Sequence, residues 1–250
     1  RMLCTMTLSL SRLEALLATL DRRRHRALLW IAADTDVAQA RSLEIWHAHQ
    51  WQSPLWLGPE LDFPQAGIMP LPSAKARTRL GGEHDLVIFD AGSPAGGFDP
   101  DAFGAASGTL RAGGLLVLLT PQAWLKGDAT TDANYARIAA WPYQASELSS
   151  QYLKRLARLL GASPLVLSWP ASQTAPTLAL PDAEAEPSQP RADGYLSADQ
   201  AEAVSRLGRL HRRRPLVLTA DRGRGKSAAL GIAAAQRLLQ GERRVWVTAP

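Results

Sequence analysis

A short basic loop between two apolar segments decides the fold class of the second half of the chain. It reads Ala220-Asp221-Arg222-Gly223-Arg224-Gly225-Lys226-Ser227. The apolar run 215–219 before it predicts a buried strand, and the alanine-rich run 228–235 after it predicts a helix. Strand, glycine turn, Gly-Lys-Ser and helix in this order are typical of a phosphate-binding P-loop.

The residue types of this loop match the chemistry of a bound nucleotide. Gly223 and Gly225 let the backbone approach a ligand, so that successive N–H groups and the start of the following helix can hold phosphate oxygens. We expect Lys226 to reach the β- and γ-phosphates of ATP or GTP, and the Ser227 hydroxyl to bind Mg²⁺. The strict pattern opens with glycine where this chain has Ala220. The alternative is an ordinary glycine turn that happens to be basic.

Composition limits the class of protein. A length of 250 residues with 46% hydrophobic residues fits one large or two modest globular domains. The net charge of +5 is compatible with an acidic partner such as RNA. A single cysteine, Cys4, excludes an intramolecular disulfide framework and fits a reducing compartment. No apolar stretch approaches the roughly 20 residues of a membrane span. We therefore expect a cytoplasmic protein without a membrane partner, of unknown oligomeric state.

Residues 1–169 alternate between apolar runs and helical patterns. The helical patterns lie at about 7–24, 37–50, 101–111 and 146–160, and Gly113-Gly114 is interpreted as the stop after the third helix. The apolar runs predict buried strands at 27–33, 55–57, 85–91, 115–120 and 165–167. The alternation predicts an α/β fold, a Rossmann-like domain with a parallel sheet covered by helices on both faces. Its glycines do not form a dinucleotide-binding fingerprint, so we expect no dinucleotide site there.

A proline-rich stretch at 170–194 predicts a linker. Residues 195–250 then read as the beginning of a P-loop NTPase domain of the helicase-like kind. In this domain Ser197 is expected to cap a helix that runs to about Arg213, and 245–248 to form a second strand.

Several side chains carry two interpretations. Asp90 ends an apolar strand, as a Mg²⁺-binding carboxylate would, but a structural turn aspartate is favoured. The basic clusters at 22–26 and 206–214 could contact RNA phosphates, or could simply be the arginines that helix C-termini favour. Trp46 and Trp51 could stack on bases. Three other tryptophans sit in strand-like runs and are predicted to be core residues: Trp30, Trp56 and Trp246.

Three segments of the chain resemble the bacterial tRNA(Met) cytidine acetyltransferase family. The most specific likeness is segment 219–228, with its Arg-Gly-Arg-Gly-Lys-Ser-Ala core and alanine in the first P-loop position. A second likeness runs from Phe89-Asp90-Ala91 through Phe98-Asp99 and Ala102-Phe103 to 110–119, and a third is Tyr152-Leu153-Lys154-Arg155. The similarity covers nearly the whole chain.

The resemblance implies the N-terminal portion of a multidomain RNA acetyltransferase. Such an enzyme uses ATP or GTP hydrolysis to assist formation of N4-acetylcytidine at the wobble position of elongator methionine tRNA. The expected cofactors are then ATP (or GTP) with Mg²⁺ and acetyl-CoA, and the expected partner is tRNA. On this pattern the side chain of Gln200 contacts the nucleotide base. The phosphates are wrapped by Gly223, Arg224, Gly225, Lys226, Ser227 and Ala228.

The same pattern puts the acetyl-CoA site and the Mg²⁺-binding carboxylates past Pro250. We therefore expect no catalytic residue within these 250 residues and little activity from them alone. Two alternatives remain open at this point. One is a different P-loop ATPase, such as an RNA helicase with an unusual N-terminal domain. The other is a module that binds RNA through its basic helices and catalyses nothing.

Overall fold

Five parallel strands between residues 27 and 168 form one sheet. The computed structural model describes residues 9–59, 68–180, 194–195, 197–210, 215–220 and 225–248. The sheet has the order β2-β3-β4-β1-β5, and every neighbouring pair is parallel. The strands are β1 (Ala27–Ala32), β2 (Pro54–Leu57), β3 (His84–Asp90), β4 (Leu110–Thr120) and β5 (Val166–Ser168). The predicted α/β fold with a parallel sheet is confirmed.

Helices cover both faces of the sheet, as runs of apolar residues without polar alternation require. One face is covered by α1 (Leu10–Arg23) and α2 (Thr35–Ala48). The other face is covered by α3 (Pro100–Thr109), α4 (Tyr135–Ile138) and α5 (Gln151–Ala162), together with 3₁₀ turns at 73–79, 122–126 and 145–147. Among the described residues, no helix is both long enough and apolar enough to cross a membrane.

The first helix shows how spacing selects the buried face. Leu13, Leu16 and Leu20 of α1 are buried, at the three- and four-residue spacing that places side chains on one helix face. Burying each leucine contributes about 1.5–3 kcal/mol. Leu10, in the first turn of the helix, is 46% exposed. The helix ends at Arg24, which has φ +52° and donates its N–H to carbonyls of the last turn.

Gly113 and Gly114 were predicted to stop the third helix, but both lie inside β4. That prediction was wrong. The helix α3 ends at Thr109, and β4 begins at the next residue. A Cβ on Gly114 would lie 3.0 Å from the carbonyl oxygen of Asp85 on β3, and Gly113 has φ +82°. The β3–β4 register is irregular at this point. The glycines therefore allow a close strand approach at an irregularity in the ladder.

The chain divides into two compact units, Arg1–Glu186 and Pro187–Pro250, and the division falls inside the predicted linker. The part of that linker at 170–180 packs on the first unit. The Thr177 N–H donates to the carbonyl of Ser168 at 2.9 Å, and Leu178 and Leu180 pack against the core. The domain limits drawn from sequence remain predictions, but this stretch is not an independent spacer.

The described residues of the second unit form two helices, α6 (Ala198–Gly208) and α7 (Lys226–Leu239), which pack through Val204, Ala229 and Ala233. The predicted strands at 215–219 and 245–248 are absent, since these described residues form no strand. Val217 and Trp246 are 76% and 82% exposed, so the prediction that Trp246 is a core residue was also wrong. A strand needs a neighbour for its backbone groups, and the described residues of this unit provide none.

Candidate nucleotide-binding site

The glycine loop leads directly into α7. Gly225 is the N-cap of this helix and has φ +77°, a left-handed conformation that favours glycine. Ser227 and Ala228 follow in the first helical turn and are exposed. N–H groups in this turn have no acceptor within the helix, so an anion can serve as one. Gly223 and Arg224 lie outside the described residues.

Lys226 connects the two ends of the loop. Its ammonium group donates a hydrogen bond to the carbonyl oxygen of Ala220 at 2.5 Å. The first position of the P-loop pattern therefore acts through its main chain, which alanine provides as well as glycine does. Among the described residues, Arg24 is the sole non-glycine residue with positive φ, so Ala220 is not held in a conformation that demands glycine. The departure from the strict pattern is structurally tolerated.

The structure brings Gln200 to the loop. Ser197 caps α6 by accepting from the Gln200 N–H at 3.2 Å, which confirms the predicted cap. The Gln200 side chain is buried, and its Nε2 lies 3.0 Å from the position that a Cβ on Gly225 would occupy. A larger residue at 225 would therefore collide with Gln200 as well as strain the backbone. The family resemblance implied that Gln200 contacts the nucleotide base, and that role stays a prediction.

Gln200, Gly225 and Lys226 line one cavity of about 460 Å³. This volume lies within the roughly 300–1,000 Å³ range of small-molecule sites. Sequence reasoning missed Glu202, which lines the cavity together with Arg206 and pairs with it at 2.5 Å. Their spacing of four residues on a helix is the signal that would have found the pair. Arg206 belongs to the basic cluster at 206–214, which was interpreted either as RNA contacts or as helix C-terminal arginines. It lies in the last turn of α6 and pairs with Glu202.

Asp90 is a turn aspartate, the interpretation favoured from the sequence. It is 1% exposed, and its carboxylate accepts hydrogen bonds from the N–H groups of Gly92 and Ser93, both at 3.0 Å. It also accepts from the Ser93 hydroxyl at 2.6 Å and from the Gln39 amide at 3.1 Å. These donors occupy both carboxylate oxygens, so Asp90 organises the loop after β3.

Four tryptophans of the first unit contact its core, including two that were considered as groups that stack on bases. Trp30 and Trp56 are buried, as predicted. Trp46 packs against Trp56 with ring centroids 6.1 Å apart, and the Trp51 indole donates to the carbonyl of Ile45 at 3.1 Å. Both side chains contact the core of the first unit. We therefore do not retain Trp46 and Trp51 as groups that stack on bases.

Comparison with known proteins decides the family. Residues 6–171, more than half of the chain, match the family model described as tRNA(Met) cytidine acetyltransferase TmcA, N-terminal. The chain belongs to this tRNA(Met) cytidine acetyltransferase family. Residues 217–250 match a second model, described as RNA cytidine acetyltransferase NAT10/TcmA, helicase domain. The second match begins in the apolar run before the loop, so both halves of the chain lead to the same family.

Individual relatives agree with the family models. A protein of Nitrosococcus halophilus is 42% identical over 188 residues, which are 71% of this chain and 24% of the relative. A protein of Citrobacter koseri is 34% identical over 224 residues, covering 88% of this chain and 30% of its own length. A protein of Haloferax volcanii is 32% identical over 199 residues, 70% of this chain and 25% of its length. All three are named tRNA(Met) cytidine acetyltransferase TmcA. The chain thus spans about a quarter to a third of these acetyltransferases.

Proposed function

We propose that this chain is the N-terminal portion of an ATP-dependent RNA acetyltransferase. In this proposal the whole enzyme uses acetyl-CoA to form N4-acetylcytidine at the wobble position of elongator methionine tRNA. This portion supplies the loop that holds the nucleotide phosphates. The observation that carries the proposal is the meeting of Gln200, Gly225 and Lys226 in one cavity at the start of α7. The names of the relatives support the substrate and the transferred group.

Each residue has a separate role in holding the nucleotide. The N–H groups of Ser227 and Ala228 and the positive end of the α7 dipole hold phosphate oxygens. The Ser227 hydroxyl binds Mg²⁺. The Lys226 ammonium has three donors, so it can keep its bond to the Ala220 carbonyl and still donate to the β- and γ-phosphates. The Gln200 amide reads the edge of the base beside the loop.

The experiment measures binding of a fluorescent ATP analogue, with Mg²⁺, to the 250-residue chain. Lys226→Ala should weaken binding about tenfold or more, since each tenfold corresponds to about 1.4 kcal/mol and charge-assisted hydrogen bonds contribute about 1.5–3 kcal/mol. The matched control is Lys75→Ala, which removes an exposed lysine of the first unit. Equal binding by wild type and Lys226→Ala would overturn the phosphate-binding role.

Competition separates base recognition from phosphate recognition. Gln200→Ala should weaken displacement of the analogue by ATP but not by inorganic tripolyphosphate, which has no base. Parallel titration with GTP tests which base the amide accepts. Equal effects on ATP and tripolyphosphate would show that Gln200 supports the loop and does not read the base.

Acetyl transfer itself is tested in the complete protein that contains this chain. Transfer of labelled acetate from acetyl-CoA to an elongator methionine tRNA transcript should depend on ATP or GTP and fall sharply in Lys226→Ala. An RNA helicase would instead unwind a duplex with ATP and transfer no acetyl group. The match of residues 6–171 to the acetyltransferase N-terminal model favours the first outcome.

A further inference from the structure

A groove of about 880 Å³ runs along α1 in the first unit, and we call it the α1 groove. One wall is the face of α1 that carries Ala15 and Thr19, and the other wall is the extended segment 172–180. Its charged lining residues, among those that the structure describes, are all arginines: Arg12, Arg22 and Arg23. No carboxylate from the described residues lines it. The described lining of the α1 groove therefore carries positive charge and no negative charge.

Two of these arginines have no acidic partner within the described ranges. Neither Arg12 nor Arg22 forms an ion pair there, and both are exposed. Three other arginines of the same unit are matched by carboxylates at 3.2–3.5 Å: Arg77 with Asp101, Arg111 with Asp85, and Arg137 with Asp99. Because Arg79, Arg155 and Arg158 also form no ion pair among the described residues, what distinguishes Arg12 and Arg22 is that they line one groove that no described carboxylate lines.

Arg12 differs from the arginines at the end of α1 in its interaction with the helix dipole. Arg22 and Arg23 lie in the last turn of α1, where the helix dipole favours positive charge and no ligand is needed to explain them. Arg12 lies near the start of the helix, where the dipole disfavours a cation, and the first turn holds no acidic residue to offset it. An anion in the α1 groove would account for a cation at this place.

Hydrogen bonds to the rest of the first unit hold the second wall of the α1 groove, segment 172–180, in place. Arg41 of α2 donates hydrogen bonds to the carbonyls of Trp169 and Pro170, both at 3.0 Å, and of Gln173 at 2.7 Å. The bond from the Thr177 N–H to Ser168 and the packing of Leu178 hold the rest of the segment. A ligand therefore meets a preorganised groove and spends little binding energy on ordering it.

We propose that the α1 groove binds the sugar-phosphate backbone of RNA, an inference that rests on the proposed function for its choice of polyanion. Arg12 and Arg22 are ten residues apart, about 15 Å along the helix axis, which suits charges repeated along a polymer better than one small anion. The hydroxyls of Ser172 and Thr174 also line the groove and can donate to phosphate oxygens. The Thr19 hydroxyl donates to the Ala15 carbonyl at 2.8 Å, so it is left to accept a hydrogen bond from a 2′-hydroxyl.

The lining also indicates what the α1 groove does not recognise. No aromatic side chain from the described residues lines it, so bases have no stacking surface there. Arginines and hydroxyls that contact phosphate and sugar position a nucleic acid without reading its sequence. The α1 groove thus holds and orients the RNA, and sequence recognition belongs to other parts of the enzyme.

The experiment measures fluorescence anisotropy of a labelled elongator methionine tRNA transcript with the 250-residue chain, across about 0.05–0.2 M salt. The test variant is Arg12→Gln with Arg22→Gln. The matched control, Arg77→Gln with Arg137→Gln, removes the same charge from other exposed sites of the same unit. The test variant should bind about tenfold more weakly, and its slope of log affinity against log salt should fall by about 1.4–1.8 for two lost phosphate contacts. The control should change affinity less than about twofold.

Three outcomes would overturn the proposal. Equal losses in the test and control variants would mean that net charge, and not the α1 groove, attracts RNA. An unchanged salt slope would mean that the two arginines do not touch phosphates. Tighter binding of a polyglutamate peptide of equal charge than of the tRNA, lost in the test variant, would assign the groove to an acidic protein. Binding of the fluorescent ATP analogue should be unchanged in the test variant. If the wild type bound no ATP while the arginine effect persisted, the proposed function would fail and the α1 groove would stand.

Discussion

Replacing Arg41 offers the sharpest test of how the first unit is held together. Its guanidinium group donates to four carbonyls of the segment after β5, at distances of 2.7–3.4 Å. It also lies 4.8 Å from the ring centroid of Trp169, in cation–π geometry. Burial lowers the pKa of Arg41, and Glu44 acts in the opposite direction. Because arginine starts from a very high pKa, the group stays charged at neutral pH.

The magnitude follows from these contacts. A hydrogen bond to a charged group contributes about 1.5–3 kcal/mol, but four bonds on one half-buried guanidinium are not additive. The stacking contact adds about 0.5–1 kcal/mol. We expect Arg41→Ala to lower the free energy of unfolding of the first unit by about 3 kcal/mol. Arg41→Lys should lose about 2 kcal/mol, because an ammonium group keeps the charge but not the planar fork.

Urea unfolding followed by tryptophan fluorescence measures this loss. All tryptophans except Trp246 lie in the first unit, so the signal reports mainly on it. With a slope of about 2 kcal/mol/M, the midpoint of Arg41→Ala should fall by about 1.5 M. The control Arg77→Ala removes an exposed ion pair and should shift the midpoint little. A shift in Arg41→Ala of less than about 0.3 M, or full rescue by Arg41→Lys, would refute the reasoning.

Three further predictions concern the same unit. Burial raises the pKa of Asp132, so the folded chain binds more protons than the unfolded chain above the ordinary aspartate pKa, and stability falls as pH rises through the raised pKa. Asp132→Asn should remove this fall from unfolding free energies measured between about pH 4 and pH 7. Trp30→Phe removes a buried 2.8 Å hydrogen bond to the Thr120 hydroxyl and should cost about 1–2 kcal/mol in urea unfolding. Gly58→Ala places a Cβ 2.8 Å from the Cβ of Asp90 and should cost about 1–3 kcal/mol, seen as a lower thermal midpoint.

Each of these predictions has a contradicting result. An identical pH profile for Asp132→Asn would assign the fall to other carboxylates. A fully stable Trp30→Phe would mean that the Thr120 hydroxyl finds another partner. An unchanged midpoint for Gly58→Ala would mean that the loop after β2 shifts without strain.

Sequence patterns predicted the sheet of the first unit because its strands are buried on both faces. Adjacent apolar residues in runs such as 85–91 and 115–120 are all buried only in a strand that is covered on both faces. The role of Gly113-Gly114 could not be predicted, because the need for glycine comes from the approach of Asp85 on a neighbouring strand. Likewise, the proline-rich composition of 170–180 suggested a spacer. Its tertiary contacts, such as those with Arg41 and the hydrogen bond from Thr177 to Ser168, show that the segment is bound.

In the candidate site, too, features encoded by local sequence could be predicted and features that depend on tertiary contacts could not. The Gly-Lys-Ser sequence located the loop because its local order of residues encodes a turn and a helix start. Gln200 carried no local signal and was placed by family resemblance alone, and its contact with Gly225 is a tertiary fact. The strands expected at 215–219 and 245–248 depend on ladder partners, which apolar character does not specify.

The hydrogen bonds of the loop after β3 bear on how many nucleotides the chain can bind. Open parallel sheets usually take ligands in the crevice at the carboxyl ends of their strands. Here the Thr35 hydroxyl donates to the Gly92 carbonyl, and the Gln39 amide donates to Asp90, so protein groups satisfy one another where a ligand would bind. The acidic Asp34 at the start of α2 also repels phosphate. Calorimetric titration of the chain with ATP should therefore saturate at one equivalent, bound at the proposed site of the second unit.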